Sequence, residues 1–390
     1  MAPCLAAETR KWLAQWPRAE SMLNDFESRL KRRTVTGSHS CALATAQLLR
    51  NLIGSCRWQT ATKLMKNLRG VALVLSRAQP MELATGNVVR RVLLIVRQEY
   101  DAQRRTANDR ASPALERSSS TSALEGMQLE HQPSLHSTLA GSRSDSSTNL
   151  AMLDSSFTVS VPELRTGILD QLQELLDEIE TSMESIAESA LSHVHANEVI
   201  LTIGHDEAVL AFLTAAAKKR SFSALVAEGA PGRGGHATAA ALARAGVDVT
   251  LVPDACVFVL MSRVHKVLLP AHAVVADGGL VTPSGCHAVA VAAKNHAVPV
   301  VCVTGLYKLC PAYPHDLDAL NEMGSPEPVL PYRQHTTLGR PRVLNPLYDF
   351  VPPDLVELYV TNSGSHQPSY IYRLLAEYYH LDDMIEDIAQ

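Results

Sequence analysis

GluValIleLeuThrIleGlyHisAspGluAlaValLeuAlaPheLeuThrAlaAlaAla, residues 198 to 217, changes period halfway along. Up to 203 the apolar residues run almost unbroken and are rich in β-branched types, the pattern of a buried strand; after Asp206 they recur at helical spacing. A strand over 198–203 therefore empties through a short turn into a helix over 206–217. The same unit repeats downstream, with strands predicted at 222–227, 249–252, 266–269 and 298–303 and helices at 236–245, 255–263 and 285–296. Near-continuous apolar strands alternating with helices call for a parallel sheet covered on both faces, so the fold class is α/β with Rossmann-like, doubly wound topology. A Pro-rich region follows from 310 to 353, then a last strand at 355–361 and a closing helix at 368–379, with Pro368 suited to its first turn.

Upstream the period is helical throughout. Helix is predicted at 41–67, and from Asn87 the apolar residues Val88, Val92, Ile95 and Val96 recur at helical spacing. Over 161–195, Ile168, Leu172, Leu175, Ile179, Met183, Ile186 and Ala190 make one apolar stripe, and eight acidic residues accompany a single base, Arg165. Between these blocks, 108–156 turns to Ser, Thr and small polar residues, with too few large apolar side chains to offset ordering entropy. The expected organisation is an N-terminal helical domain (1–107), a serine-rich disordered insert (108–156), a helix completing the helical domain (157–196) and a Rossmann-like domain (197–390).

The net charge of −5 hides a division: residues 1–110 carry 19 Lys and Arg against 8 Asp and Glu, and 111–390 carry 16 against 32. The bland account is mutual neutralisation across packed faces, with the acidic side of 161–195 set against the basic helices. LysArgArg at 31–33 and LysLysArg at 218–220 are short and lack interleaved aromatics, so no direct nucleic-acid partner is expected. Seven scattered cysteines without a CysXXCys pair fit a reducing compartment. The charged start and the lack of a long apolar run point to the cytosol and away from a membrane. The histidines, His193 and His195 included, do not fall at zinc-site spacing, so neither a metal nor a cofactor is expected.

In an open parallel sheet, ligands collect at the carboxyl ends of the strands, here the loops at 204–206, 228–236, 253–254 and 270–285. GluGlyAlaProGlyArgGlyGlyHis at 228–236 runs into a helix N-terminus and brings Glu228, Arg233, Gly234 and Gly235; such a turn can hold a phosphate on its backbone amides, or need glycine for local reasons alone. Gly204, Asp254, His272 and Asp277 from the other loops complete the candidate ligand pocket. Ser284 has no nucleophile-elbow context, and Cys286 and His287, adjacent on a helix, point apart; both Ser284 and Cys286 read as structural.

AsnGluValIleLeuThrIleGly (197–204), MetSerArgValHisLysValLeuLeu (261–269), AlaAspGlyGlyLeu (276–280), AspPheValProProAspLeuValGluLeu (349–358) and GlyAsnValValArgArgValLeu (86–93) carry a close resemblance to the regulatory subunits, alpha, beta and delta, of eukaryotic translation initiation factor 2B. The SerTyrIleTyrArgLeu ending at 369–374 resembles the beta branch, and the likeness covers about 20–107 and 157–387. That family is similar in turn to methylthioribose-phosphate and ribose-bisphosphate isomerases. Strand-to-strand correspondence puts Gly204 where those enzymes have a catalytic cysteine, His272 where they have an aspartate, and Ala230 where they have a phosphate-holding arginine, while Glu228 and Pro231 remain. The resemblance thus implies a non-catalytic subunit of the guanine-nucleotide exchange factor for translation initiation factor 2. Its implied partners are the delta, alpha, gamma and epsilon-like subunits and the alpha subunit of initiation factor 2, whose phosphorylation it helps to sense. Asn197, Val199 and Thr250 match positions near the family's dimer seam, and Ser223 and Leu225 occupy seam positions with side chains that depart from its pattern. The competing expectation is a working sugar-phosphate isomerase of the same fold.

Overall fold

The computed structural model describes residues 2–111, 161–313, 321–335, 338–339 and 341–383. Five helices open the chain: α1 (Ala2–Leu13), α2 (Pro17–Lys31), α3 (Ser38–Ser55), α4 (Ala61–Ala78) and α5 (Leu83–Ala111). The helix expected over 41–67 is two helices, because Thr60 caps α4 by accepting from the Lys63 amide at 3.3 Å. The expected insert at 108–156 begins inside α5, whose run of Gln, Arg and Ala supports helix beyond the last apolar turn; from 112 it lies outside the described residues.

α6 (Val161–His193) joins two cores. Its Leu164, Ile168, Leu172, Leu176 and Ile179 pack with Leu49, Leu52, Leu68 and Val92 of the helical layer. One stripe later, Ile186 and Ala190 lie instead against Phe212, Leu213 and Ile200 of the sheet layer. One helix thereby fixes the helical layer to the sheet.

The sheet carries β1 (Val199–Ile203), β2 (Ser223–Ala227), β3 (Asp248–Val252), β4 (Lys266–Pro270), β7 (Val300–Val303), β9 (Leu358–Thr361) and β10 (Gly364–His366), in the order β10-β9-β7-β4-β1-β2-β3. All neighbours are parallel except the β9–β10 hairpin at one edge. Disregarding that hairpin strand, the order is that of a doubly wound nucleotide-binding fold, and its direction reverses between β1 and β4. α7 (Glu207–Ala217) and α8 (Gly234–Arg244) cover one face, and α9 (Val257–Leu260) with α10 (Cys286–Asn295) covers the other. The helix expected over 255–263 is one α-turn between two 3₁₀ turns. The glycine-bearing stretch 273–283 is not simply loop: β5 (Ala273–Val274) and β6 (Leu280–Pro283) form a small antiparallel sheet with β8 (Tyr348–Val351). α11 (Ile371–Tyr378) closes the described fold.

Gly235 sets how closely α8 approaches β2. A Cβ there would collide with the Ala227 carbonyl and stand 2.9 Å from Glu228 Cα, both of them backbone atoms that cannot swing aside. Gly235→Ala is expected to destabilise the protein by roughly 1–3 kcal/mol through overpacking. A urea titration reads this, and an unchanged midpoint would show that α8 can slide.

Candidate functional site

The direction of the sheet reverses between β1 and β4, so the crevice lies above Gly204 and Ala271. Gly204 leaves β1 at φ +68°, a left-handed conformation that lets the chain turn towards Asp206. Its carbonyl accepts from Thr238 Oγ1 at 2.9 Å, and Gly229 and Gly234 pack against Gly204 and His205. Glu228, Arg233, Gly234 and Gly235 are thus brought beside Gly204. Asp254 reaches across from the end of β3 and accepts from the amides of Gly229 at 3.0 Å and Ala230 at 2.6 Å. The glycine-rich turn therefore already holds an anion, the protein's own carboxylate. A phosphate entering here would have to displace it or sit against its charge. Arg233 is exposed, and Glu228 stands 3.6 Å from His236.

Asp277 is placed elsewhere, whereas His272 stays beside the crevice, within reach of the charges of Glu82, Lys308 and Asp206, but is held by the helical layer. The His272 ring is stacked on Tyr348 at 4.3 Å between centroids, with Nε2 2.6 Å from the Met81 carbonyl and Nδ1 3.4 Å from Ser38 Oγ. Burial lowers its pKa, so the ring is neutral, carries its proton on Nε2 towards Met81 and serves as a plug between sheet and helical layer. Asp277 sits in the β5–β6 turn, where its carboxylate accepts from the Gly279 amide at 2.7 Å.

The crevice itself is occupied by groups that local sequence reading passes over. Lys308, 4% exposed, follows β7 and donates to the Ala271 carbonyl at 2.7 Å; its Nζ lies 3.6 Å from Asp206 Oδ2. Burial is the largest single influence and opposes this charge, but Asp206, Tyr307, Cys302 and Glu82 together outweigh it and raise the Lys308 pKa above its ordinary value. Asp206 also caps α7 through the amides of Ala208 at 2.9 Å and Val209 at 3.2 Å. Glu82, buried at the start of α5, turns towards the same region from the helical layer. A lysine inside the otherwise apolar run LeuTyrLysLeuCys (306–310) was the available signal. Two thiols lie nearby, both fully buried: burial pushes Cys286 up to about 12 and Cys302 well above its ordinary value. Neither supplies a thiolate nucleophile at neutral pH. Among the described residues no cluster of His, Cys, Asp and Glu has the geometry of a metal site, and no helix is long and apolar enough to cross a membrane.

The residues expected at a dimer seam form a second, separate area. Parallel register pairs Val199 with Ser223 and Ser223 with Asp248, and two residues further on pairs Leu225 with Thr250, so these side chains share one face of the sheet. Asn197 stands in the turn just before β1 at φ +62°. The face is only half covered: Leu225 is partly buried and Thr250 exposed. α9, anchored beneath by Val257 in the same core, presents Phe258 at 55% and Val259 at 75% exposure. β3 forms the edge of the sheet beside this patch.

Residues 34–368 match the family model described as the initiation factor 2 subunit family. A Dictyostelium discoideum protein named translation initiation factor eIF2B subunit beta is 40% identical over 372 residues, covering 93% of this chain and 96% of its own length. A crystal structure of the tetrameric eIF2B-beta2-delta2 complex from C. thermophilum contains a chain that superposes with a TM-score of 0.65 at 27% identity, covering 93% of this chain and 95% of that one. A ribose 1,5-bisphosphate isomerase from Haloferax volcanii is 30% identical over 223 residues, covering 56% of this chain and 68% of its own length.

Proposed function

This chain belongs to the initiation factor 2 subunit family, and on that premise we propose that it is a beta-type, non-catalytic regulatory subunit of the guanine-nucleotide exchange factor for translation initiation factor 2. The observation that carries this reading is the filled crevice. Where an isomerase would need a nucleophile, an acid and room for a sugar phosphate, this chain has Gly204, a His272 locked to Met81, and the Lys308–Asp206 pair. Groups of that kind are individually worth orders of magnitude in rate, and their joint loss favours work by contact.

In this reading the chain pairs with a delta subunit along Asn197, Val199, Ser223 and Thr250, with Phe258 and Val259 extending the patch. Alpha, gamma and epsilon-like subunits assemble around that pair in the cytosol. Together they seat the alpha subunit of initiation factor 2 and register its phosphorylation. The test is copurification from the chain's own cells, with wild type bringing delta and catalytic subunits in stoichiometric amounts. Val259→Asp, which buries an unpaired charge in the proposed interface but is exposed in the free chain, is expected to weaken delta recovery by about tenfold or more. Undiminished recovery would move the interface elsewhere. The isomerase reading is favoured by the archaeal relative; purified protein incubated with ribose 1,5-bisphosphate or methylthioribose 1-phosphate is expected to give no product, and turnover lost on Glu228→Ala would reverse the choice.

A further inference from the structure

All three tryptophans of the chain, Trp12, Trp16 and Trp58, line one groove of about 1060 Å³ on the helical layer, far along the sequence from the sheet. α1 supplies one wall, the α3–α4 connection and α4 another, and the start of α6 the third. Three cations join them: Arg57, Lys63 and Arg165. None of the three has a carboxylate partner among the described residues; Lys63 Nζ lies 2.9 Å from Gln59 Oε1, and Arg165 Nη2 donates to the Cys56 carbonyl at 2.8 Å. The groove's remaining cation, Lys66, is paired with its acid, Glu8, at 2.6 Å. Its walls thus combine aromatic surface with an uncompensated positive charge. Three N–H groups of the lining residues, Trp16 Nε1, Trp58 Nε1 and Arg165 Nε, are buried and have no acceptor. These donors lie beneath the wall and are not open to the groove, so its pull on a ligand comes from the three exposed or part-exposed cations and the aromatic surface.

We propose that this groove receives an acidic linear segment of a partner protein, one that carries a large apolar side chain among its carboxylates. The apolar side chain would lie on the partly buried rings of Trp12 and Trp16, and the carboxylates would meet Arg57, Lys63 and Arg165. Gln15 and Asn67, also in the wall, offer both donors and acceptors, which suits a peptide backbone. A nucleic-acid strand fits less well. Base stacking needs open ring faces, whereas Trp58 is 6% exposed and already has the Arg165 guanidinium over its ring at 5.6 Å.

Because no tryptophan lies elsewhere, tryptophan fluorescence of the full chain, excited at the red edge where tyrosine does not absorb, reports on this groove alone. The probe is an acetylated octapeptide, AspGluPheGluAspLeuGluAsp, compared with its amide counterpart AsnGlnPheGlnAsnLeuGlnAsn and with an eight-nucleotide oligouridylate. A saturable fluorescence change with the acidic peptide is expected, weakening with salt and falling at least about tenfold in affinity in the double variant Arg57→Glu/Lys63→Glu. Both positions are exposed, so the variant should fold; the milder Arg57→Ala/Lys63→Ala pair should show a smaller loss in the same direction. Equal binding of the amide peptide, preference for the oligonucleotide, or indifference to charge reversal would overturn the proposal. So would a response seen only after residues 112–160 are deleted, because the chain's own segment would then be the occupant.

Discussion

Asp383→Asn is expected to lower unfolding stability by roughly 3–5 kcal/mol, the cost of breaking a buried ion pair from one side. The Asp383 side chain is fully buried, and its carboxylate accepts from Arg69 Nη2 at 2.5 Å and from Arg97 Nε at 2.9 Å and Nη2 at 3.1 Å. Arg97 is itself nearly buried, with 11% of its side chain exposed. Asparagine keeps the shape but removes the charge and can present an N–H₂ group to two guanidinium groups, leaving their charge uncompensated. Because Arg69 lies on α4 and Arg97 on α5, the pair ties the end of the described chain onto the helical layer. Tyr378 Oη, donating to Glu178 at 2.7 Å, and Tyr379 Oη, donating to the Leu309 carbonyl at 2.8 Å, reinforce the same clasp. The melting temperature should fall by about 4–6 °C, and amides of α11 should exchange faster. A fall below about 1 kcal/mol would mean that water reaches the pair and screens it.

The pH dependence of this clasp has a definite sign. Burial is the largest single influence and would raise the Asp383 pKa, but the hydrogen bonds and charges of Arg97 and Arg69 together outweigh it and hold the pKa below the usual carboxylate range. A depressed folded pKa stabilises the protein above the unfolded value, about 3.9, and that contribution is lost as pH falls through the folded value. Wild type should therefore lose stability relative to Asp383→Asn on acidification below about pH 4, with the difference constant at neutral pH.

The sheet was legible because its signal is local. Strands such as 200–203 and 300–303 are buried on both faces, so their apolar runs are continuous, and Asp206 and Pro368 mark element starts by side-chain chemistry alone. The short β5–β6–β8 sheet was not, since strands of two to four residues have no period to read and β8 joins from some 65 residues away. The site divides in the same way. Gly204, Glu228, Arg233, Gly234, Gly235 and Asp254 converge because the order of a doubly wound sheet dictates which loops meet. His272 stays beside the crevice, but its ring is taken up by the helical layer, which supplies Met81 and Ser38, residues about 190 and 234 positions earlier, as its partners. No local pattern encodes such a pairing. The tryptophan groove was hidden for the same reason, with Trp58 and Arg165 brought together only by the packing of α6.

Asp206→Ala should be the most damaging single change in the crevice, because it removes two interactions at once. Loss of the cap on α7 costs about 1 kcal/mol, and leaving the Lys308 ammonium buried without its carboxylate costs roughly 3–5 kcal/mol more. Lys308→Met is the informative contrast: it keeps the length of the side chain, removes the charge, and leaves an Asp206 still engaged by the α7 amides, so its cost should stay within about 1 kcal/mol. Combining the two should bring the double variant back towards the loss of the cap alone, a coupling of about 3–5 kcal/mol in a double-mutant cycle read by urea denaturation. Additive losses would mean that the pair does not interact. The alkaline limb gives an independent check. A lysine whose folded pKa is raised stabilises fully below its unfolded value, about 10.4, and that contribution disappears as pH rises through the folded value. Wild type should thus lose stability relative to Lys308→Met above about pH 10, while both hold level near neutrality. A crevice that supplies its own cation and its own anion has no need of a ligand to complete it. Stability measured with and without ribose 1,5-bisphosphate should accordingly be the same, whereas a ligand-dependent rise in midpoint for wild type that vanishes in Lys308→Met would show that a sugar phosphate still competes for that ammonium.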